Sequence, residues 1–588
     1  AIELPPGLVT HQAPVAMLRR SPSWHDHIGV YLTAEELGLP PGTMSSIIRE
    51  LGQLPFERTM RALSWLHHAV IYAGTRKDRQ LKLARQIFQG GELLRRAERF
   101  IRAEERPSVV FEQQLVALQR LAVLHCAPGA LDAEVGSRGE LAFISALVST
   151  TGVIVDRALP VRPSDGHRMP SRDDLLRLFL AGTPFAHREW LGGALFRGYR
   201  MFAAIAESDE ARKHPEWCDF DSWLHEAGIP DVRSLQLAGL GLANAAGVLE
   251  AEPTVNPISP AFLDSLGADG VAAVEALSAD REWYRAAIAA TQRKAADAAR
   301  NAIPFYQRPY LRLEDGRLLP LGWRAATAVV TEEGLHYRLA DLASDLRKRS
   351  QYNAFSGWLY EQYAVEVAEM AHGDRAKELF AAGRVYREHP YETGKGRGQT
   401  PDVALDYGLD LVLVEATHSR PTIKSLIDLD LKAIERDLEK TIGRKLRQLA
   451  TAIQAIRDGR AILPDLEPTR IKRVWPVLLL PAPVFQNDVI WEYIDGLYPP
   501  GLRHPLVRPL TLLDTADYEW LMGQAAEGVS VIGILERKTQ DLWARRDLRS
   551  WFNDAADPLG VGESEFIGRL FGETIETLAE PLKPREAE

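Results

Sequence analysis

The stretch TPDVALDYGLDLVLVEATHSR, Thr400–Arg420, decides the fold of the chain, because it is typical of two strands joined by a tight turn. The pattern predicts one strand over Asp402–Tyr407 and a returning strand over Asp410–Thr417. Gly408-Leu409 is then a two-residue loop, and glycine at its first position favours a type II′ turn. The two strands therefore form an antiparallel hairpin.

This pairing places two carboxylates side by side. Asp402 lies directly opposite Glu415, with Cβ atoms about 4.5–5.5 Å apart. Both faces of the second strand are mostly apolar, which predicts a strand in the middle of an α/β sheet. A buried glutamate there is costly unless it is paired or metal-bound, and a divalent cation is the simplest partner for two acids. The alternative is a hairpin whose acids reach solvent at the edge of the sheet.

The stretch resembles the PD-(D/E)XK superfamily, the restriction-endonuclease-like nucleases. Their pattern is Pro-Asp, a hairpin, then an acid, any residue and lysine. Pro401-Asp402 and Glu415-Ala416 match it, whereas Thr417 stands at the position of the lysine. The flanking stretches GWLYEQY, RKLRQLATAI and VWPVLLLPAP resemble the helix before the sheet, the second core helix and the next strand. The resemblance covers about residues 351–482.

The resemblance implies a site that hydrolyses phosphodiester bonds with the help of Mg²⁺ or Mn²⁺. Asp402, Glu415 and the carbonyl group of Ala416 are the implied metal ligands, and Glu361 in GWLYEQY is a further one. The family's lysine assists the attacking water, and Thr417 carries no charge with which to do so. The implied substrate is DNA, with RNA left open.

A helix predicted over about Lys432–Asp458 offers a substitute lysine. Its apolar stripe, projected at about 100° per residue, consists of the following residues: Leu438, Ile442, Leu449, Ile453 and Ile456. Lys445 borders this stripe, and we expect it either to point at Asp402 and Glu415 or to extend past the stripe to water. Lys424, in the loop after the hairpin, is the second choice.

Further polar residues surround the predicted site. Lys395 and Arg397 belong to the glycine-rich basic loop REHPYETGKGRGQT, which is either a phosphate contact or an ordinary mobile loop. Gln448 and Lys424 are further candidates for substrate binding. A basic stripe on the predicted helix suits backbone phosphates, although such a stripe is more often a solvated face: Arg436, Lys440, Arg444 and Arg447.

The rest of the chain predicts a multidomain protein of the α plus α/β class. Residues 1–302 have helical periodicity and would recognise substrate, recruit a protein partner, form a homo-oligomer or keep the nuclease silent. Residues 303–345 form a β-rich connector, with two or three strands over Arg308–Leu339. Residues 346–515 form the α/β core, and residues 516–588 return to helix.

Composition narrows the class of protein. The chain has 588 residues, a net charge of −10, and 46% hydrophobic and 26% charged residues, as a soluble globular protein does. With two cysteines, no signal-peptide pattern and no long apolar run, we expect a cytoplasmic protein without membrane contact.

Two functions compete on this sequence. The first is a metal-dependent nuclease of bacterial defence or DNA processing. The alternative is a catalytically inactive nuclease-like module that binds nucleic acid or docks a protein, in which Thr417 marks lost chemistry. A helical scaffold with an incidental α/β domain is a third reading.

Overall fold

The structure is a computed structural model of the chain. The residues that it describes are 30–74, 76–158, 173, 176–177, 191–249, 254–291, 301–373, 384–393, 396–426, 428–482, 486, 488–540, 545–548, 551–552 and 564–579. In these ranges no helix is both long enough and apolar enough to cross a membrane.

The first half of the chain is helical, as predicted. Its short strands β1 (Val30–Tyr31) and β2 (Pro107–Ser108) pair in parallel. The helices of this half are α1 (Met44–Leu51), α2 (Phe56–Ala73), α3 (Lys77–Phe88), α4 (Gly91–Ala103), α5 (Glu112–His125), α6 (Ser137–Ala158), α7 (Leu191–Tyr199), α8 (Asp209–Arg212), α9 (Phe220–Glu226), α10 (Val232–Ala245), α11 (Pro260–Asp264), α12 (Gly267–Leu277) and α13 (Arg281–Thr291). A π-helical turn, Arg200–Ile205, extends α7.

The connector contains less β-structure than predicted. After helix α14 (Ile303–Gln307), strands β4 (Tyr310–Arg312) and β5 (Leu318–Pro320) pair with each other, and β4 also pairs with β3 (Ser278–Ala279). Of the two or three strands predicted over Arg308–Leu339, two are present and a third is not. Helices α15 (Trp323–Ala328) and α16 (Glu332–Leu342) occupy that stretch, because Thr331 caps α16 by accepting a hydrogen bond from the Gly334 N–H.

A five-stranded mixed sheet follows helix α17 (Leu346–His372). The strand order is β12-β11-β10-β9-β6, with β6, β9 and β10 antiparallel and β10, β11 and β12 parallel. These strands are β6 (Arg384–Arg387), β9 (Val403–Asp406), β10 (Asp410–Ala416), β11 (Arg473–Leu480) and β12 (Thr511–Asp514). The basic stretch predicted to be a loop is instead a hairpin of β7 (Pro390–Thr393) and β8 (Gly396–Gln399).

The predicted hairpin register is confirmed. Leu411 pairs with Asp406 and Val414 pairs with Val403, so the next residues outward are Glu415 and Asp402. Gly408 has a φ of 83°, which is the backbone conformation that the first position of a type II′ turn requires. Every residue of β10 is buried, so the strand lies in the interior of the sheet, as predicted.

Helices cover both faces of this sheet. Strand residues Val412 and Val414 pack in the same hydrophobic cluster as residues of α17, whereas Leu411 and Leu413 pack with the helix predicted over Lys432–Asp458. That helix is confirmed and follows the short helix α18 (Ile423–Leu426). It consists of α19 (Leu431–Leu438), a π-helical turn over Glu439–Gly443 and α20 (Arg444–Arg457).

The C-terminal part is helical after Asp514, as predicted. Helix α21 (Asp488–Leu497) precedes β12, and the later helices are α22 (Thr515–Ala526), α23 (Val531–Gln540) and α24 (Glu565–Ala579). The hydrophobic cluster that contains the α17 face of the sheet also includes residues of α22, α23 and α24, and of helices α7 to α12. A second cluster joins residues 32–148 to buried residues of the 255–321 stretch.

Candidate active site

The two acids of the motif lie at one end of the central strands. Asp402 immediately precedes β9 and Glu415 is the penultimate residue of β10, so the antiparallel register places them opposite each other. Asp402 is only 4% exposed and Glu415 only 6% exposed. The Ala416 backbone N–H donates a 2.6 Å hydrogen bond to the Asp402 carboxylate, which fixes that side chain against the end of β10. The alternative, acids that merely reach solvent at a sheet edge, is wrong.

Lys445 reaches these acids from α20. Its Nζ atom lies 2.8 Å from Oε1 of Glu415, and the residue is 7% exposed, so its side chain does not extend to water. The helix places it there immediately after the π-helical turn Glu439–Gly443. Such turns shift the phase of the helix face and are frequent at functional sites. The expectation that Lys445 points at the paired acids is confirmed for Glu415.

Two further carboxyls join the cluster from other elements. Glu361 comes from α17, on the opposite face of the sheet from α20, and it is partly exposed. Glu388 directly follows β6, whose last residue, Arg387, pairs with Val403. The next residues outward on those strands are Glu388 and Asp402, so a row of three acids crosses β6, β9 and β10.

A β-bulge shapes the strand ends at this row. Between the pair Arg387–Val403 and the pair Pro390–Gln399, two residues lie on one strand and three on the other. The Thr400 N–H donates to the His389 carbonyl at 2.9 Å, so Pro401 and Asp402 together oppose the single residue Glu388. Bulges of this kind re-aim side chains next to active sites.

The charges of the cluster are unbalanced. Desolvation raises the pKa of Asp402, and desolvation followed by the Asp402 charge raises the pKa of Glu361 to about 9 and that of Glu415 to about 8. Desolvation and Asp402 also raise the pKa of the exposed Glu388, to about 7. The pKa of Lys445 is raised by Glu415 and Asp402, which outweigh its burial.

The raised pKa values of Glu415 and Lys445 favour different protonation states of their ion pair. A raised pKa at Glu415 favours the neutral acid, whereas the raised pKa at Lys445 requires an anion beside it. We take Lys445 as charged, because four carboxyls face this single ammonium group. The four carboxyls then share protons at neutral pH, and a titration belongs to the cluster rather than to one residue.

The donor set fits a hard divalent cation in its chemistry. Carboxylate and carbonyl oxygens are the ligands that Mg²⁺ and Mn²⁺ prefer, and an added positive charge would relieve the repulsion that raises these pKa values. Over the ranges that the structure describes, however, no group of three or more His, Cys, Asp or Glu side chains is arranged to hold a metal ion. Glu415 is instead engaged by Lys445, and Asp402 by the Ala416 N–H.

The predicted substrate-binding residues are less closely tied to the cluster. Lys395 lies outside the described residues. Arg397 is exposed on β8 and lies 3.5 Å from Glu392 of β7. Lys424, the second choice for the lysine, is exposed on α18. Lys445 makes the ion pair with Glu415, so Lys445 and not Lys424 supplies the positive charge there. Gln448 is exposed on α20, one helical turn beyond Lys445.

Glu388 is the site residue that sequence reasoning missed. It lies in the stretch predicted to be a loop, and β6 is a strand of four residues whose burial does not alternate cleanly. The available signal was the pair Val385-Tyr386, a β-favouring dipeptide placed to extend the sheet beyond the hairpin. With β6 paired antiparallel to β9, Glu388 falls opposite Asp402.

Comparison with known proteins adds no relative. No protein-family model, curated protein or solved structure matches the chain.

Proposed function

We propose that the chain is a metal-dependent nuclease that hydrolyses DNA phosphodiester bonds, with a restriction-endonuclease-like core around the mixed sheet. The observation that carries the proposal is the convergence of Asp402, Glu415 and Lys445 at one end of the central strands, with Lys445 2.8 Å from Glu415. Lys445, from the helix after the hairpin, thus supplies at Glu415 the positive charge that Thr417 cannot carry. The order of helix, strands, helix and strand around these residues supports the same fold.

Each residue has a separate role in this proposal. Asp402, Glu415 and the Ala416 carbonyl would hold Mg²⁺ or Mn²⁺, with Glu361 as a further ligand. When bound, such an ion supplies Lewis acidity and an activated water. Lys445 stays protonated, so it donates hydrogen bonds rather than accepting a proton, and it stabilises negative charge that develops on the phosphate.

Exposed basic residues on the elements that carry or adjoin the site favour a polyanionic substrate. Arg436, Lys440 and Arg444 are exposed on the helical segment that carries Lys445, and Arg397 is exposed on the hairpin that continues from β6 and β9. Phosphate contacts of this kind provide affinity without sequence information. The chain as a whole has a net charge of −10, so basic residues close to the substrate would have to attract it. They can do so because charges beyond about 8–10 Å are screened.

A non-catalytic module is the second candidate, and one observation favours it. Lys445 holds Glu415 and the Ala416 N–H holds Asp402, so neither acid shares a ready-made metal geometry with a third ligand in the described residues. A nuclease-like fold closed in this way would serve to bind nucleic acid or a protein. The two candidates differ in one requirement, since only the nuclease needs a divalent ion.

A cleavage assay tests the proposal. Plasmid, linear duplex, single-stranded DNA and RNA are incubated with Mg²⁺ or Mn²⁺ and with the wild type, Asp402→Asn, Glu415→Gln or Lys445→Ala. We expect the wild type to cut at least one substrate, and we expect the first two variants to lose more rate than the roughly 10- to 100-fold that loss of an outer-shell partner costs. Absence of cleavage together with absence of metal-dependent stabilisation would contradict the nuclease and support the non-catalytic module.

A further inference from the structure

A buried acid of the connector lies next to the chain that leaves the active strand. Glu332 is the first residue of α16 and is only 1% exposed. Its Oε1 atom lies 2.5 Å from Arg420 Nη2 and 3.3 Å from His418 Nε2. Burial alone would raise the pKa of Glu332, but Arg420 and His418 lower it overall, so the group is a carboxylate.

Both partners of Glu332 belong to the segment that directly continues β10. Beyond Ala416, the Thr417 N–H donates to the Leu479 carbonyl of β11 at 3.0 Å, which is the last bond of the sheet there. His418 and Arg420 then turn away from the sheet and reach Glu332. The backbone that carries Glu415 and Ala416 is therefore held on one side by β11 and, within four residues, by α16.

The buried ion pair of Glu332 with Arg420 contributes little to the free energy of unfolding. Burying an ion pair costs desolvation that apolar side chains of similar volume would avoid. Within the described chain, the Arg420 Nε atom is also buried without a hydrogen-bond partner. A pair that contributes little net stability but fixes direction and distance suits a positioning role better than a purely structural one.

The first half of the chain holds α16 in place. A Cβ atom added to Gly198 of α7 would meet the Glu332 backbone nitrogen at 3.0 Å, so the two helices are in close contact. Helix α15, which immediately precedes α16, is tied to α5 by the ion pair of Arg324 with Glu112 at 2.8 Å. Glu332 thus connects the end of β10 to helices of the first half.

We infer that Glu332 is a positioning residue for the candidate active site, holding the Ala416–Arg420 segment so that Glu415 and the Ala416 carbonyl keep their places. The inference rests on the proposed function for its effect on metal binding, but its structural part is independent of that function. Loss of Glu332 would free the segment after β10 while leaving every residue of the acid cluster in the chain.

The test compares Glu332→Gln and Glu332→Asp with Asp410→Asn. Asp410 is the matched control, because it is a buried acid of β10, the strand that carries Glu415. It lies at the end of β10 away from the site, and its carboxylate accepts hydrogen bonds from Arg473 at 2.6 and 2.8 Å. Mn²⁺ affinity is measured by calorimetry in the full chain. Amide exchange is followed by mass spectrometry in peptides spanning residues 413–422. Glu332→Asp keeps the charge and supplies the comparison if Glu332→Gln does not fold.

We expect Glu332→Gln to weaken Mn²⁺ binding by about 10- to 100-fold, the usual effect of losing an outer support of a metal site, and to speed exchange in residues 413–422. Glu332→Asp should shift both in the same direction by less. Asp410→Asn should leave Mn²⁺ affinity at the wild-type value, and it should not speed exchange in residues 413–422 more than in the other strands of the sheet. Wild-type affinity and exchange in both Glu332 variants would overturn the inference. If the wild type binds no Mn²⁺, the proposed function fails, and the exchange comparison alone decides the positioning role.

Discussion

At Lys445 one ammonium group faces carboxyls from several different elements. It donates to Glu415 of β10 and also lies close enough to affect the pKa of Asp402, Glu361 and Glu388. Removal of one partner from a buried ion pair costs about 3–5 kcal/mol, because the other charge is left without compensation. Glu415 escapes part of that cost by taking up a proton, since its pKa is already raised to about 8.

We therefore predict that Lys445→Met lowers the free energy of unfolding by about 3 kcal/mol at pH 8, the lower end of that range, and by less at pH 6. Methionine matches the apolar stem of lysine and removes the ammonium group, with its charge and its hydrogen bond to Glu415. Urea denaturation at the two pH values measures the difference. Lys424→Met, at an exposed lysine, is the control and should change stability little. An equal loss in the two variants would show that the pair with Glu415 contributes nothing specific.

Glu361 provides a pH signature of the cluster. Its pKa of about 9 exceeds the usual value for an unfolded chain, near 4.3, so the native state binds more protons between these values. Stability from this group is therefore present at low pH and is lost as pH rises toward 9. Lys538 acts in the opposite direction above pH 8, because burial lowers its pKa to about 8. The informative quantity is thus a difference between two proteins.

We predict that Glu361→Gln gains stability relative to the wild type by at least about 1 kcal/mol between pH 7 and pH 9, since one pKa unit corresponds to about 1.4 kcal/mol. Glutamine mimics the protonated acid and cannot ionise. Urea midpoints of both proteins, measured in the presence of a chelator, give the difference at each pH. A difference that stays constant over this range would show that Glu361 takes no part in the raised titration of the cluster.

At the scale of elements, local signals predicted the hairpin and its helix. The two-residue loop that begins at Gly408 fixes the register, and the continuous apolar run of β10 predicts a buried strand. Helix projection placed Lys445 on the border of the buried stripe. Other signals were misread. The stretch after Thr331 was assigned to the β-rich connector, although Thr331 followed by two acids is a helix start. Strand β6 was not predicted, because it is only four residues long and its pairing with β9 is a long-range contact.

The pairing of β6 with β9 places Glu388 opposite Asp402, and a prediction about Glu388 follows from this position. Because it extends the row of acids across three strands, Glu388→Gln should weaken Mg²⁺ or Mn²⁺ binding by about tenfold at pH 8. Because desolvation and Asp402 raise the pKa of Glu388 to about 7, its charged form opposes folding at pH 8, so Glu388→Gln should not lower the stability of the metal-free protein. Metal titrations followed by thermal unfolding measure both effects. Glu392→Gln, an exposed acid on β7 outside the row, is the matched control, and an equal effect of the two variants would mean that only general surface charge matters.

At the scale of the whole molecule, one hydrophobic cluster of the described residues joins the predicted core of residues 346–515 to helices of the first half. Buried residues of α7 and α10, such as Phe196 and Leu242, belong to the same cluster as Tyr363 of α17 and Val414 of β10. An ion pair also crosses this contact, between Arg197 of α7 and Glu519 of α22 at 2.8 Å.

We predict that residues 346–588 alone do not fold, whereas residues 30–588, which keep both hydrophobic clusters, do. The shorter piece would expose the apolar surface that α7 to α12 cover, and contiguous exposed patches of that kind lead to aggregation. It would also lose α16, and with it Glu332 and its contacts to His418 and Arg420. Size-exclusion chromatography and circular-dichroism melting of both pieces test this. A monomeric 346–588 piece with a cooperative transition near that of the longer piece would show that the α/β part is an independent domain, and that the first half binds it as a detachable partner rather than completing its core.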